Sequence, residues 1–260
     1  MSLQSEFKEI AQTGGRVAMV TVVEVGEHGD ETWVGAKLLV HPDETVQGDL
    51  GHPQLEAAAL DFGEELMWAE RSELREVAGT KLFVDVVAPP PRLIVFGAVD
   101  FAAALCGMAK AAGWRPFVVD PRGRFATRER FPDAEDVVVA WPEKAFAQLG
   151  GIDRATYIAV LTHDPKLDDA ALTAALNSEA PYIGAMGSRR AQEKRRERLL
   201  ALGITEDQQA RIAAPIGLDL GAVSAEETAL SIMAEVVAVR NDRDGGRLTR
   251  SAGRIHEVGA

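Results

Sequence analysis

From residue 93 onward the chain alternates short, largely apolar runs with segments of helical period, and that alternation admits few folds. Leu93-Ile94-Val95-Phe96-Gly97, Pro116–Asp120, Val137–Trp141, Tyr157–Leu161 and Tyr182–Ala185 are five such runs. A strand that is apolar on both faces needs covering on both, which parallel sheets flanked by helices supply. Helical patterns occupy Phe101–Ala112, Glu143–Leu149, Asp168–Leu176 and Arg189–Leu202, with Gly113 and Gly203 as stops. Strands and helices in this rhythm predict an α/β fold, a Rossmann-like doubly wound parallel sheet. A last helix is expected over Ala225–Arg240, opened by the capping box Ser224-Ala225-Glu226-Glu227.

The first 88 residues read differently. Strand-like runs at Val17–Val25 and Val34–Val40 are separated by His28-Gly29-Asp30-Glu31, a turn. A loop from His41 to Pro53, a helical pattern at Leu55–Trp68 and a strand-like run at Lys81–Val87 follow. This predicts a smaller α+β domain over 1–88. Pro89-Pro90-Pro91 can continue neither a helix nor an inner strand, so 89–92 reads as a stiff linker. The Rossmann-like domain is then 93–243, and the Gly- and Arg-rich 244–260 reads as a flexible tail.

With 260 residues, 47% of them apolar, the chain is able to bury a sizeable core. No run approaches the ~20 apolar residues of a membrane span, and Met1–Ile10 lacks the apolar stretch of a signal peptide. The expected compartment is the cytoplasm, with no membrane partner. The 40 acidic residues outnumber 28 basic ones, for a net charge of −12, which argues against a nucleic-acid partner. A single cysteine, Cys106, excludes an intrachain disulfide and a Cys-based metal site. Its spacing with Ala102 and Ala109 predicts a core position rather than a nucleophile. No catalytic residue and no metal ligand is assigned.

Ligands of an open parallel sheet bind beyond the carboxyl ends of its strands. After the first strand, a dinucleotide fingerprint would read Gly-x-Gly-x-x-Gly; here the positions hold Gly97, Val99 and Ala102. Val99 puts a β-branched side chain where a pyrophosphate needs open backbone. Asp100 adds negative charge there and is expected to be the N-cap of the next helix. NAD(P) in its usual pose is therefore disfavoured. Asp120 falls 23 positions after Gly97, where a ribose-binding acid belongs, and reads equally as a solvated turn before Pro121. Arg122 and Arg124 either hold a phosphate or sit exposed. His163 and Asp164 read as substrate-binding groups or as an Asx turn before Pro165. In Gly184-Ala185-Met186-Gly187-Ser188-Arg189, Gly187 leaves backbone amides open and Ser188 caps the next helix. Arg189 and Arg190 oppose the helix dipole, an arrangement that an anion at this terminus would repay. Lys194, Arg195, Arg196 and Arg198 read as a solvated or partner-facing helix surface. Asp219 either lines the crevice or shapes the chain's return to the last helix.

Six strings resemble, in order, the C-terminal domain of the xanthine dehydrogenase accessory factor (XdhC/CoxI) family. They are Val118-Val119-Asp120-Pro121-Arg122, Phe125-Ala126-Thr127, Arg130-Phe131-Pro132, Leu161-Thr162-His163-Asp164, Gly184-Ala185-Met186-Gly187-Ser188-Arg189-Arg190 and Ala214-Pro215-Ile216-Gly217-Leu218-Asp219. Gly35-Ala36-Lys37-Leu38-Leu39-Val40 resembles the family's N-terminal domain less strongly. The resemblance implies a maturation factor for molybdenum hydroxylases of the xanthine dehydrogenase or CO dehydrogenase type. Such a factor binds the molybdenum cofactor (molybdopterin), assists its sulfuration by a cysteine desulfurase and inserts it into an apo-enzyme. It is a chaperone rather than a turnover catalyst, and a homodimer. The implied cofactor contacts are Gly97, Asp120, Arg122, His163, Asp164, Gly187, Ser188, Arg189 and Asp219.

Three departures mark a divergent member. Gly97-Ala98-Val99-Asp100 replaces a Gly-Ala-Gly-His-type turn. Residues 28–34 lack the family's Pro and Arg, and Gln54 stands where the family has Cys or His before a Glu. Two alternatives therefore remain at this level: a non-catalytic protein that docks a partner with a degenerate site, and an NAD(P)-dependent oxidoreductase.

Overall fold

The computed structural model describes residues 2–26 and 29–250. His28 of the expected turn and the last ten residues of the expected tail lie outside the described residues. The chain falls into two compact units that divide between Pro89 and Pro90. No helix among the described residues is long and apolar enough to cross a membrane.

The first unit opens with α1 (Leu3–Thr13), capped by Ser2 and ended by the left-handed Gly14. β1 (Val17–Glu24), a 3-10 turn at Glu31–Trp33, β2 (Lys37–Val40), β3 (Val46–Asp49), α2 (Pro53–Ala69), β4 (Glu73–Val77) and β5 (Thr80–Val87) follow. The strands form one sheet in the order β3-β2-β1-β5-β4, with every neighbouring pair antiparallel. One face of the sheet, through Val20, Leu38, Val40, Leu82 and Val84, packs on Leu55, Ala59, Leu66 and Met67 of α2. The sequence pattern marks β1, β2, α2 and β5, places β3 inside the expected 41–53 loop and assigns no element to α1 or β4.

The second unit runs β6 (Arg92–Phe96), α3 (Asp100–Ala111), β7 (Arg115–Val119), β8 (Asp136–Val138), α4 (Pro142–Gln148), β9 (Thr156–Val160) and α5 (Pro165–Leu176). It continues with β10 (Tyr182–Ala185), α6 (Arg189–Ala201), the single-turn α7 (Glu206–Gln209), β11 (Ile212–Ala213) and α8 (Ala225–Arg240). The sheet order is β11-β10-β9-β6-β7-β8, and every pair is parallel. Counted from β6 this is the strand order 3-2-1-4-5-6 of the Rossmann fold. The five expected strands are present, and β11 adds a sixth. The Ser224–Glu227 capping box forms at the head of α8 as expected. Residues 244–250, where a tail was expected, are exposed and include a 3-10 turn at Leu248–Arg250.

Alternate strand residues separate two cores. Leu93, Val95, Val118 and Tyr157 pack with Leu105 and Cys106 of α3 and with Ile232 and Val236 of α8. Ile94, Phe96, Ile158 and Val160 face Phe146 of α4, Leu172 of α5 and Leu199 of α6. The chain therefore leaves β6 toward one face and β9 toward the other. The carboxyl ends of these two adjacent strands form the topological switch point, where such sheets open a crevice.

Candidate functional site

Gly97 ends β6 with φ of +111°, a conformation that side chains disfavour. A Cβ there would lie 3.1 Å from the Thr162 amide nitrogen and 3.3 Å from the Thr162 Cβ. The turns after β6 and β9 thus meet backbone to backbone, and any side chain at 97 would wedge them apart.

Asp120, at the end of β7, closes the β6 side of this crevice. Its side chain is completely buried, which corrects the expectation of a solvated turn. Oδ2 accepts from the Ala98 amide at 2.9 Å and from an Arg122 guanidinium nitrogen at 2.7 Å. Oδ1 accepts from the Arg122 amide and from Arg122 Nε, both at 2.9 Å. Burial pushes this carboxyl's pKa up, but the hydrogen bonds from the Arg122 side chain and the two amides, with the guanidinium charge, outweigh it and hold the pKa below its ordinary value. A Rossmann acid offers its oxygens to a ribose; here both already serve the protein.

Arg122 is half-exposed, feels the charge of Asp164 across the crevice, and lies 4.9 Å from the Phe125 ring centroid. Arg124 lies 4.5 Å from the same ring. Arg130 donates to the carbonyls of Ala98 and Phe125 at 3.1 and 3.0 Å and pairs with Asp100 at 3.1 Å. The N-cap of α3 is Val99, not Asp100 as expected, and it makes no side-chain cap bond. Chain geometry explains the shift: Asp100 is already helical, and its carboxylate turns outward to Arg130.

At the end of β9, the Thr162 hydroxyl accepts from the Asp164 amide at 2.8 Å. Asp164 is the N-cap of α5 and accepts from the Lys166 amide at 3.0 Å. His163 is exposed.

The turn after β10 is built otherwise. Ser188 caps α6 through the Ala191 amide at 3.3 Å, as expected. The backbone amides of residues 187–190 have no hydrogen-bond partner among the described residues. Arg189 and Arg190 are exposed beside them. The expected solvated surface on α6 needs correction at two positions. Arg195 is 4% exposed and pairs with the equally buried Asp168 of α5 at 3.1 Å. Arg198 grips Asp169 with two bonds, at 2.6 and 3.0 Å. Both turn inward because α5 and α6 lie side by side on one face of the sheet. Burial pushes the pKa of Asp168 up, and the hydrogen bond and charge of Arg195 offset this only in part.

Asp219 is exposed, in a loop anchored to α8. Glu235 of α8 accepts from the Gly217 amide at 2.8 Å and from the Tyr182 hydroxyl, and the Ser231 hydroxyl donates to the Leu218 carbonyl. The fold thus brings Gly97, Asp120, Arg122 and Asp164 together, and sets Gly187, Ser188 and Arg189 at the end of the strand beside β9. Sequence reasoning quoted Thr162, Phe125 and Arg130 only within the family strings and gave them no individual role, and it missed the Asp168–Arg195 pair. The acid and base of that pair are 27 positions apart and meet only once α5 and α6 are known to be neighbours.

Comparison with known proteins gives this geometry a family. Residues 93–236 match the XdhC Rossmann domain, and residues 10–78 match the XdhC and CoxI family. A protein of Bacillus subtilis (strain 168), named as a probable xanthine dehydrogenase subunit, is 30% identical over 161 residues, 62% of this chain and 46% of that protein. The molybdenum cofactor insertion chaperone PaoD of Escherichia coli (strain K12) is 31% identical over 152 residues, 58% of this chain and 41% of its own. The matches thus span less than half the length of these curated relatives. A crystal structure of a xanthine dehydrogenase from Bacillus halodurans shares the fold, with a TM-score of 0.59 at 24% identity over 93% of this chain and 68% of that one. On the match of its Rossmann unit and of most of its first unit, the chain belongs to the XdhC and CoxI family.

Proposed function

We propose that the chain is an accessory factor for molybdenum hydroxylases that binds molybdenum cofactor and assists its sulfuration and insertion into an apo-enzyme. The reading rests on family membership and on the relative named a molybdenum cofactor insertion chaperone. The geometric observation that carries it is the turn between β10 and α6. Its four amides, unpaired among the described residues, lie at the positive end of a helix dipole, beside Arg189 and Arg190, and suit a phosphate. A pterin cofactor bears a phosphate, so these residues fit the group. When bound, the cofactor supplies the molybdenum chemistry that the client enzyme uses; Gly187, Ser188 and Arg189 would hold its anionic end. A cysteine desulfurase, an apo-hydroxylase of the xanthine dehydrogenase or CO dehydrogenase type and a second copy of this chain are the partners of this reading.

The sealed Asp120 favours a second reading, a partner-docking protein whose ligand site has decayed, and it counts against an NAD(P)-dependent oxidoreductase. Anaerobic reconstitution of an apo-hydroxylase with isolated cofactor separates the first two. An insertion factor raises the rate or yield of recovered enzyme activity, and Arg189→Ala lowers that gain. A docking protein binds the apo-enzyme and leaves the recovery unchanged.

A further inference from the structure

The buried pair beneath the turn between β10 and α6 holds the carbonyls of that turn. One terminal nitrogen of Arg195 donates to the Met186 carbonyl at 2.8 Å and to Asp168 Oδ2 at 3.1 Å. Its other terminal nitrogen donates to the side-chain oxygen of Gln192, whose amide nitrogen donates to the Gly187 carbonyl at 3.0 Å. The carbonyls of the two peptide units that carry the 187 and 188 amides are therefore both tied, directly or through one side chain, to a single guanidinium. Gly187 makes the close approach feasible: its φ is +134°, and a Cβ there would meet the Ala191 Cβ at 3.2 Å and Gln192 Nε2 at 3.4 Å.

The turns after β6 and β9 lack this arrangement. After β6, the Ala98 amide is taken by Asp120; after β9, the Asp164 and Lys166 amides are taken by side chains of the same turn. Unlike those two turns, the turn on Arg195 keeps four consecutive amides unpaired among the described residues.

Stability alone is a poor reason for the pair. A buried ion pair rarely outperforms apolar residues of the same volume. This one also leaves Arg195 Nε buried without a hydrogen-bond partner among the described residues. The raised pKa of Asp168 points the same way, since ionising the acid there is harder than in water.

We propose that Asp168 and Arg195 are positioning residues: Asp168 fixes the guanidinium of Arg195, which turns the Met186 and Gly187 carbonyls toward α6 and leaves the amides of 187–190 to an incoming phosphate. This rests on the reading of that turn as the anion end of the cofactor site. The pair also joins the first turn of α5 to the body of α6.

The test is a titration of the full-length, isotope-labelled protein with inorganic phosphate, followed by backbone amide NMR and paired with thermal melts. In the native protein, saturable shifts are expected at the amides of 187–190. The double variant Asp168→Leu/Arg195→Met keeps the volume apolar and is expected to melt within a few degrees of native while binding phosphate at least tenfold more weakly. Gln192→Leu, on the helix surface, frees only the Gly187 carbonyl and weakens binding about threefold. It also serves if the double variant does not fold. Native affinity in both folded variants, or in Gln192→Leu alone if the double variant is unfolded, overturns the positioning role and leaves the site standing. Absence of shifts at 187–190 in the native protein removes the site, and the role with it.

Discussion

Asp120 and Val99 together decide what the β6 side of the crevice accepts. The Asp120 carboxylate is wholly buried and takes four hydrogen bonds from Ala98 and Arg122. Replacing it with Ala leaves the buried Ala98 amide and the part-buried Arg122 amide without their acceptor and is expected to cost about 2–3 kcal/mol at neutral pH. The pH dependence has a definite sign. The folded pKa lies below the ordinary 3.8, so the contribution is complete above the unfolded value and is lost as pH falls through the folded one. The melting-temperature gap between native and Asp120→Ala should therefore be constant near neutrality and close below about pH 4; a gap independent of pH would show the carboxylate is not held ionised. The same geometry limits nucleotide binding. Val99→Gly alone relieves the steric block but leaves Asp120 sealed, so NAD(P) affinity in a fluorescence titration should stay unmeasurable. Adding Arg122→Ala frees Asp120 oxygens, and binding that appears only in the double variant identifies Arg122 as the seal. Sequence position pointed to Asp120, because a strand end 23 residues after Gly97 is fixed by the fold. That its own neighbour two residues on would occupy it was not legible, since an arginine after a strand turns outward as readily as back.

Elements were legible in proportion to how much apolar surface they bury. β6, β7, β9 and β10 are buried on both faces and read directly from their composition. All four residues of β3 are exposed, and α1 has no buried residue, so neither carries a strong pattern. The signals for α1 were its Ser2 cap, its Gly14 stop and the spacing of Leu3, Phe7 and Ile10. β4 inverts the usual alternation: Leu74 faces solvent, whereas Arg75 covers the Phe62 ring at 5.8 Å and pairs with Glu65 and Glu73. The hairpin from β4 to β5 turns on Ala78 and Gly79, with φ of +50° and +78°. A two-residue turn with both φ positive is the I′ type, which favours Asn-Gly. Ala in the left-handed region carries a penalty of roughly 1–2 kcal/mol. Ala78→Asn should therefore raise stability by about 0.5–1 kcal/mol, read as a higher melting temperature. An unchanged or lower value would mean that the turn is not of this type in solution.

Across the whole molecule, the fold class, the strand order at the switch point and the family agree, whereas the crevice at the switch point has two unlike halves. The half formed by β6 and β7 is closed by Asp120, Arg122 and the Val99 cap. The half formed by β9 and β10 keeps open amides and two free-standing arginines over a buried ion pair. A net charge of −12 makes that local excess of positive charge more telling, because it runs against the balance of the chain. The proposed function reads this asymmetry as an anionic ligand held from the β10 side, without a dinucleotide pose. The most direct measurement is an anaerobic binding titration of the purified protein with isolated molybdenum cofactor, run beside NAD(P). Saturable cofactor binding, weakened about tenfold or more by Arg189→Ala and matched by no NAD(P) binding, is the expected result; this is the ~1.4 kcal/mol that one charge-assisted phosphate contact at a helix terminus provides. Binding of NAD(P) instead, or no saturable binding of the cofactor, would contradict it.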